Sequence, residues 1–94
     1  MALARSAGVS ELHILRDDLV GVPEVKQVFV KSDRQSLSVL IILDEYDRKA
    51  ERKIVKIEAD LIDAYPWLDI DFDVVYLSGR PLADVVSPKG FQLL

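Results

Sequence analysis

The chain contains no cysteine among its 94 residues. This absence excludes disulfide bonds, cysteine-ligated zinc, iron–sulfur clusters and a thiolate nucleophile. A chain without cysteine fits a reducing compartment, and we therefore predict that the protein is cytoplasmic.

Long apolar runs and an excess of basic charge are missing as well. The longest apolar run, Val39–Leu43, is much shorter than the roughly 20 residues that span a bilayer, so no membrane segment is predicted. Residues 1–8 lack the apolar stretch of a signal peptide and are predicted to form a flexible N-terminal arm. The net charge is −4, and basic residues are interleaved with acidic ones. We therefore expect no nucleic-acid partner.

Glycine and histidine are too few and too scattered for common catalytic and phosphate-binding motifs. The four glycines lie at positions 8, 21, 79 and 90 and cannot form a phosphate-binding loop. The single histidine, His13, has only Asp17 as a possible metal ligand at helical spacing and is predicted to be a solvated surface residue. No Gly-x-Ser-x-Gly motif occurs. We therefore assign no catalytic residue and expect no cofactor.

Length and composition predict one globular domain that spans residues 1–94. Half of the residues are apolar and 30% are charged, which is the balance of an ordinary folded chain. The first helix is predicted over Ser10–Leu19, with Ser10 as its N-cap and Gly21 as a left-handed C-cap. Its core face is formed by Leu12, Leu15 and Leu19.

Two strands with a polar connection are predicted next. Val25–Val30 and Leu37–Leu43 are rich in β-branched and aromatic residues, and Lys31–Ser36 between them is predicted to be a hairpin loop. The two strands are therefore expected to be antiparallel. The second strand is apolar on both faces apart from Ser38, which predicts a central position in the sheet.

The second helix has the clearest amphipathic pattern in the chain. Either Asp44 or Asp47 is predicted to cap it, and Pro66 ends it near Tyr65. Its core face repeats at alternating spacings of four and three, at Ala50, Ile54, Ile57, Leu61 and Ala64. The opposite face is predicted to be solvated, with its basic residues paired to acidic residues of the same helix. These basic residues are Arg48, Lys49, Arg52, Lys53 and Lys56.

A third strand, Leu68–Leu77, alternates apolar and acidic residues. Trp67, just before it, is predicted to pack in the core or at its rim. After the strand, Leu82–Val86 is predicted to form a helical turn and Phe91–Leu94 an edge strand. The apolar face of the third strand consists of Ile70, Phe72, Val74 and Tyr76.

These elements predict an α+β two-layer sandwich with the order α-β-β-α-β. The sheet is expected to have three to four strands, with two helices on one face and the other face open. Because a helix joins the second and third strands, these strands are expected to be parallel and the sheet to be mixed.

The acidic face of the third strand is the candidate site. Asp69, Asp71 and Asp73 point the same way, about 7 Å apart, and could share a hard cation such as Mg²⁺. The alternative is a solvated strand face whose aspartates oppose edge-to-edge pairing.

The order of elements resembles the minimal nucleotidyltransferase domains of the polymerase-beta superfamily. Val25–Val30, Ser36–Leu43 and Asp71–Leu77 are similar to the three strands of that fold, and the segment from Arg80 to Leu94 is similar to its end. The resemblance covers most of the chain as a pattern of elements. An unrelated ferredoxin-like sandwich is the alternative.

The catalytic motifs of that family are missing. Where the family has Gly-Ser, the chain has nothing closer than Val30–Ser32, and where it has Asp-x-Asp, the chain has Ser36–Ser38. Serine hydroxyls are neutral and cannot replace two carboxylates that hold Mg²⁺. Only the third acid has a counterpart, at Asp71 or Asp73. The resemblance therefore implies a degenerate, non-catalytic relative.

Two functions are consistent with these observations. The first is a non-catalytic binding module that self-associates or binds a small protein partner. The second is a metal-dependent nucleotidyl- or phosphoryl-transfer enzyme that uses Asp69, Asp71 and Asp73 with Asp44 or Glu45, which requires these carboxylates to converge.

Overall fold

A computed structural model describes residues 9–94, and it describes the side chains from Leu12 onward. The predicted N-terminal arm, residues 1–8, lies outside the described residues. The elements are α1 (Val9–Val20), β1 (Val25–Asp33), β2 (Ser36–Leu43), α2 (Arg48–Ala64), β3 (Asp69–Tyr76), α3 (Leu82–Val85) and β4 (Gln92–Leu93). The predicted α+β order is confirmed, and α3 and β4 lie where the helical turn and the edge strand were expected.

The four strands form one mixed sheet in the order β3-β2-β1-β4. β1 pairs antiparallel with β2 and with β4, whereas β2 and β3 are parallel. The α2 crossover accounts for the parallel pair, because a helix returns the chain to the same end of the sheet. The central position of β2 follows from its side chains, which are apolar on both faces along most of its length.

The hairpin between β1 and β2 is tighter than predicted. β1 extends to Asp33 and β2 begins at Ser36, so only Arg34 and Gln35 connect them. The expected loop Lys31–Ser36 is therefore wrong at both ends. Its polar side chains face solvent while their backbone groups pair within the ladder, which composition alone does not distinguish from a loop.

α1 and α2 pack on one face of the sheet. Leu15 and Leu19 of α1 and Ile54 and Leu61 of α2 are buried there against the apolar face of the strands. Full burial of such a side chain contributes about 1.5–3 kcal/mol, so this layer contains most of the core. Ala64, predicted on the same helix face, is instead exposed at the last residue of α2.

Asp47 is the residue that caps α2. It has extended backbone angles, and its side chain accepts a hydrogen bond from the Ala50 N–H at 3.0 Å. The cap supplies a partner to one of the N–H groups that the first turn leaves without an intrahelical acceptor. Asp44, the other predicted candidate, lies before the helix and pairs with Lys26 at 3.1 Å.

Both predicted caps of the first helix are wrong. α1 already includes Val9, so Ser10 lies inside the helix. Gly21 does not adopt positive φ. The helix ends in tight turns instead, in which the Gly21 N–H donates to the Asp18 carbonyl at 3.2 Å.

The opposite face of the sheet is only partly open. Leu40, Ile42 and Leu77 form a second buried cluster, against which α3 and Phe91 pack. The predicted open face is thus covered over its apolar half by the segment after β3. The other half remains exposed and contains the acidic residues of β3. None of the helices within residues 9–94 has the length and apolarity to cross a membrane.

Candidate binding surface at the edge of the sheet

The predicted acidic row lies on the exposed half of the sheet face that α1 and α2 leave uncovered. Asp69, Asp71 and Asp73 are all exposed, and they alternate with the apolar side chains that face the helices. The register sets Ser36 beside Asp69 and Ser38 beside Asp71. The two hydroxyl side chains and the acidic row therefore share one face.

The carboxylates do not assemble into a metal-binding group. Among the side chains of residues 12–94, no group of three or more histidines, aspartates or glutamates is arranged to hold a metal ion. The three aspartates extend along a strand, so that successive carboxylates are about 7 Å apart. Binding of Mg²⁺ by two of them stays a prediction.

Asp44 and Glu45 lie far from the acidic row. Asp71 is level with Ser38 and Asp73 with Leu40 of β2, so Asp44 lies about 20 Å and about 13 Å further along the chain direction of β2 at the usual rise per residue. Asp44 and Glu45 instead line an acidic hollow with Glu24 and Asp47 at the other end of β2. The convergence that the enzyme hypothesis requires is absent from this geometry.

β3 forms one edge of the sheet. Within the described sheet, its sole partner is β2. The Asp69 N–H donates to the Gln35 carbonyl at 2.6 Å and the Leu77 N–H donates to the Leu43 carbonyl at 2.9 Å. The odd-numbered residues thus direct their backbone groups to β2. The even-numbered ones, including Phe72, direct theirs to the outside, where they are available to a further strand.

Two of these outward backbone groups have partners within the chain. The Phe72 N–H donates to Oε2 of Glu58 on α2 at 3.2 Å. The Tyr76 carbonyl accepts a hydrogen bond from Nη2 of Arg80 at 3.2 Å. α2 therefore reaches the edge of β3 through Glu58.

The side of α2 above this edge exposes apolar side chains. Val55 is 56% exposed and Ile62 is 42% exposed. They lie three residues before and four residues after Glu58, which makes them neighbours of Glu58 on the helix surface. Because Glu58 contacts Phe72, Val55 and Ile62 lie on the side of α2 that faces the β3 edge. Phe72 and Val74 below them are half-buried.

These features form one surface, which we call the β3 edge surface. It comprises the outward backbone of residues 70–76, with Val55 and Ile62 on one side and Asp69, Asp71 and Asp73 on the other. An exposed strand edge next to apolar side chains is a common site of strand addition. The sequence indicated the acidic row, but not the edge or its apolar side.

Tyr76 connects β3 to the first turn of α2. Its hydroxyl donates to Oε2 of Glu51, and the Tyr46 ring contacts the Tyr76 ring edge-to-face at 5.6 Å. Burial, followed by the hydrogen bond to Glu51 and its negative charge, raises the pKa of Tyr76 to about 12. Tyr76 is therefore protonated at neutral pH and holds α2 against β3.

The remaining sequence candidates have structural positions. His13 is exposed on α1, as predicted. Trp67 is half-buried at the rim and contacts the Tyr65 ring edge-to-face at 6.2 Å. On the basic face of α2, Lys56 pairs with Asp60 one turn later at 3.2 Å, in agreement with a solvated face that contains intrahelical pairs.

The fold and this surface define a small α+β domain with an open, acidic sheet edge. Comparison of the chain with models of protein families, with curated proteins and with solved structures finds no match.

Proposed function

We propose that this chain is a non-catalytic binding module that binds another protein through the β3 edge surface. The observation that carries the proposal is the exposure of Val55 and Ile62 on the side of α2 from which Glu58 reaches the outward edge of β3. Apolar side chains beside unpaired backbone groups favour association with a polypeptide, which can satisfy both at once.

The separation of the carboxylates supports a non-catalytic role. Asp44 lies about 13 Å along the strand direction from the level of Asp73 and about 20 Å from that of Asp71, and both separations exceed that of two ligands of one metal ion. The single histidine, His13, is exposed on α1, which packs on the sheet face opposite to the acidic row. Within the part of the chain that the structure describes, the carboxylates of the enzyme hypothesis are thus spread apart, which favours the binding module.

We further propose that the domain is a degenerate relative of the minimal nucleotidyltransferases. The resemblance implies metal-binding carboxylates at positions 36 and 38 and at Asp71 or Asp73. The register supports the proposal, because Ser38 lies beside Asp71, and the two positions on β2 are occupied by neutral serines. The proposal includes a cytoplasmic location, in keeping with the absence of cysteine, and no nucleic-acid partner.

Self-association stays a prediction, but the β3 edge surface does not favour it. If two copies paired through β3 about a two-fold axis, aspartates of one copy would lie opposite those of the other. Like charges that are directly opposite destabilise a strand pair. We therefore assign this surface to a different protein.

The test compares proteins retained from an extract of the source cells by three forms of the chain. The first is the unaltered chain, and the second is the double variant Val55→Asp/Ile62→Asp. The third is Ile14→Asp/Val20→Asp, a control that adds the same charge at two exposed apolar positions on α1. The proposal expects a protein retained by the first and third forms and lost by the second. Identical retained sets for all three would refute it.

A further inference from the structure

We infer that the partner of the β3 edge surface is an extended segment in which basic and apolar residues alternate, added to the sheet as a strand beside β3. This inference rests on the proposed function and specifies the chemistry of the partner. It combines the open backbone of β3 with the different character of its two faces.

The two sides of the edge present different surfaces to an added strand. The side of the helices has half-buried Phe72 and Val74 on β3, and exposed Val55 and Ile62 on the neighbouring side of α2. On the other side are exposed carboxylates at every second residue. Because side chains of a strand alternate between faces, one face of the added strand contacts the apolar side and the other contacts the acidic row.

The acidic row selects basic residues on that second face. Residues directly opposite each other on paired strands have Cβ atoms about 4.5–5.5 Å apart, within reach of a lysine or arginine side chain. Lysine or arginine at every second position would therefore meet Asp69, Asp71 and Asp73 in turn. The net charge of −4 also attracts a positively charged partner at longer range.

The same carboxylates exclude a second copy of β3 and an acidic strand at this edge. Repulsion by these aspartates disfavours an acidic strand, while the outward backbone groups of β3 and the apolar side chains of α2 attract the added strand. The added strand also replaces Glu58 at the Phe72 N–H with a backbone carbonyl, so Glu58 occupies the edge until the partner arrives.

The experiment measures binding of a labelled peptide of alternating lysine and valine, with the eight-residue length of β3. A peptide with the same composition, but with all lysines before all valines, is the peptide control. Binding is measured by fluorescence anisotropy at several salt concentrations, and the contact region is mapped by the amide chemical shifts of the protein.

We expect the alternating peptide to bind, with amide shifts concentrated at residues 70–76 and with affinity that falls as salt rises. The blocked peptide should bind about tenfold more weakly. Replacement of the acidic row, Asp69→Asn/Asp71→Asn/Asp73→Asn, should weaken binding of the alternating peptide by about tenfold as well. The control variant Asp17→Asn/Asp18→Asn/Asp63→Asn has the same change in net charge at other exposed positions and should bind normally.

Equal affinity of the acidic-row variant and its control would overturn the inference, as would shifts outside the β3 edge or no binding of the alternating peptide. These results would leave the proposed function intact if Val55→Asp/Ile62→Asp still fails to retain a protein that the unaltered chain retains from the extract. Identical retained sets in that comparison would refute the proposed function independently.

Discussion

Removal of Glu58 should open the edge of β3 without unfolding the domain. The Glu58 carboxylate accepts the hydrogen bond from the Phe72 N–H at 3.2 Å, and one such bond contributes about 1 kcal/mol net. The higher helix propensity of alanine offsets about 0.3 kcal/mol of this loss in the free energy of unfolding. We therefore expect Glu58→Ala to lower the free energy of unfolding by about 0.5–1 kcal/mol.

The decisive measurement is hydrogen exchange at the Phe72 amide, since that group loses its acceptor. Exchange should accelerate about fivefold in Glu58→Ala, the factor that corresponds to about 1 kcal/mol. Urea unfolding measures the global effect. Asp63→Ala is the matched control, because Asp63 is an exposed acid on α2 and its removal should change stability by less than about 0.5 kcal/mol.

An unchanged exchange rate at Phe72 would refute the reasoning, because it would mean that Glu58 does not protect this group in solution. Acceleration of the Phe72 amide by no more than that of the other protected amides of the sheet would refute it too. That result would show that Glu58 contributes only to global stability and gives the edge no protection of its own.

Three further predictions concern stability and ionisation. Asp47→Ala removes the cap of the Ala50 N–H and should cost about 1 kcal/mol in urea unfolding; an unchanged midpoint would contradict this. Ile54→Ala, at a position 1% exposed, should lower the free energy of unfolding by about 2–5 kcal/mol. Val55→Ala should lower it by less than about 0.5 kcal/mol, and equal losses for the two variants would contradict the burial of Ile54 and the exposure of Val55. In Tyr76→Phe, the rise in phenolate absorbance near pH 12 should disappear. If that rise persists in the variant, the pKa of about 12 does not belong to Tyr76.

The raised pKa of Tyr76 also predicts how stability changes in alkali. Its value is about 12 in the folded chain against an ordinary value of 10.0, so the folded state retains the proton over that interval and the unfolded state does not. The contribution of Tyr76 is therefore complete below about pH 10 and is lost as pH rises toward 12. The Tyr76→Phe variant should lack this decline in thermal unfolding measurements.

Much of the fold was predictable because the strongest patterns coincide with burial. The repeat from Ala50 to Leu61 predicts α2, and this helix in turn predicts that β2 and β3 are parallel. The alternation from Asp69 to Asp73 predicts which side chains of β3 are exposed. In each case the side chains that form the pattern are those that the core buries or excludes.

The hairpin and the first helix show where local patterns fail. Lys31 and Asp33 are polar, yet their backbone groups pair with β2, and a side-chain pattern does not report backbone pairing. Glycine can adopt the left-handed conformation, but Gly21 does not adopt it here. Tight turns at Asp18 and Leu19 end the helix without it.

The β3 edge surface was only half predictable. The acidic row is visible as an alternation, whereas the exposure of Val55 and Ile62 depends on how α2 lies over the sheet. The contact of Glu58 with the Phe72 N–H involves a backbone donor, which every residue except proline has. No residue type marks it in the sequence. The pair Val55 and Ile62, seven residues apart within a polar face, was the one available signal.

The position of β3 in the sheet has a consequence for the order of folding. β1 and β2 are joined by Arg34 and Gln35 alone, so their hairpin closes a short loop at small entropic cost. β3 pairs with β2 only after the whole of α2 has been accommodated, and contacts so distant in sequence form slowly. We expect the strand that contains the binding surface to join the sheet after the β1–β2 hairpin has formed. The domain then becomes competent to bind only after the hairpin and α2 are in place.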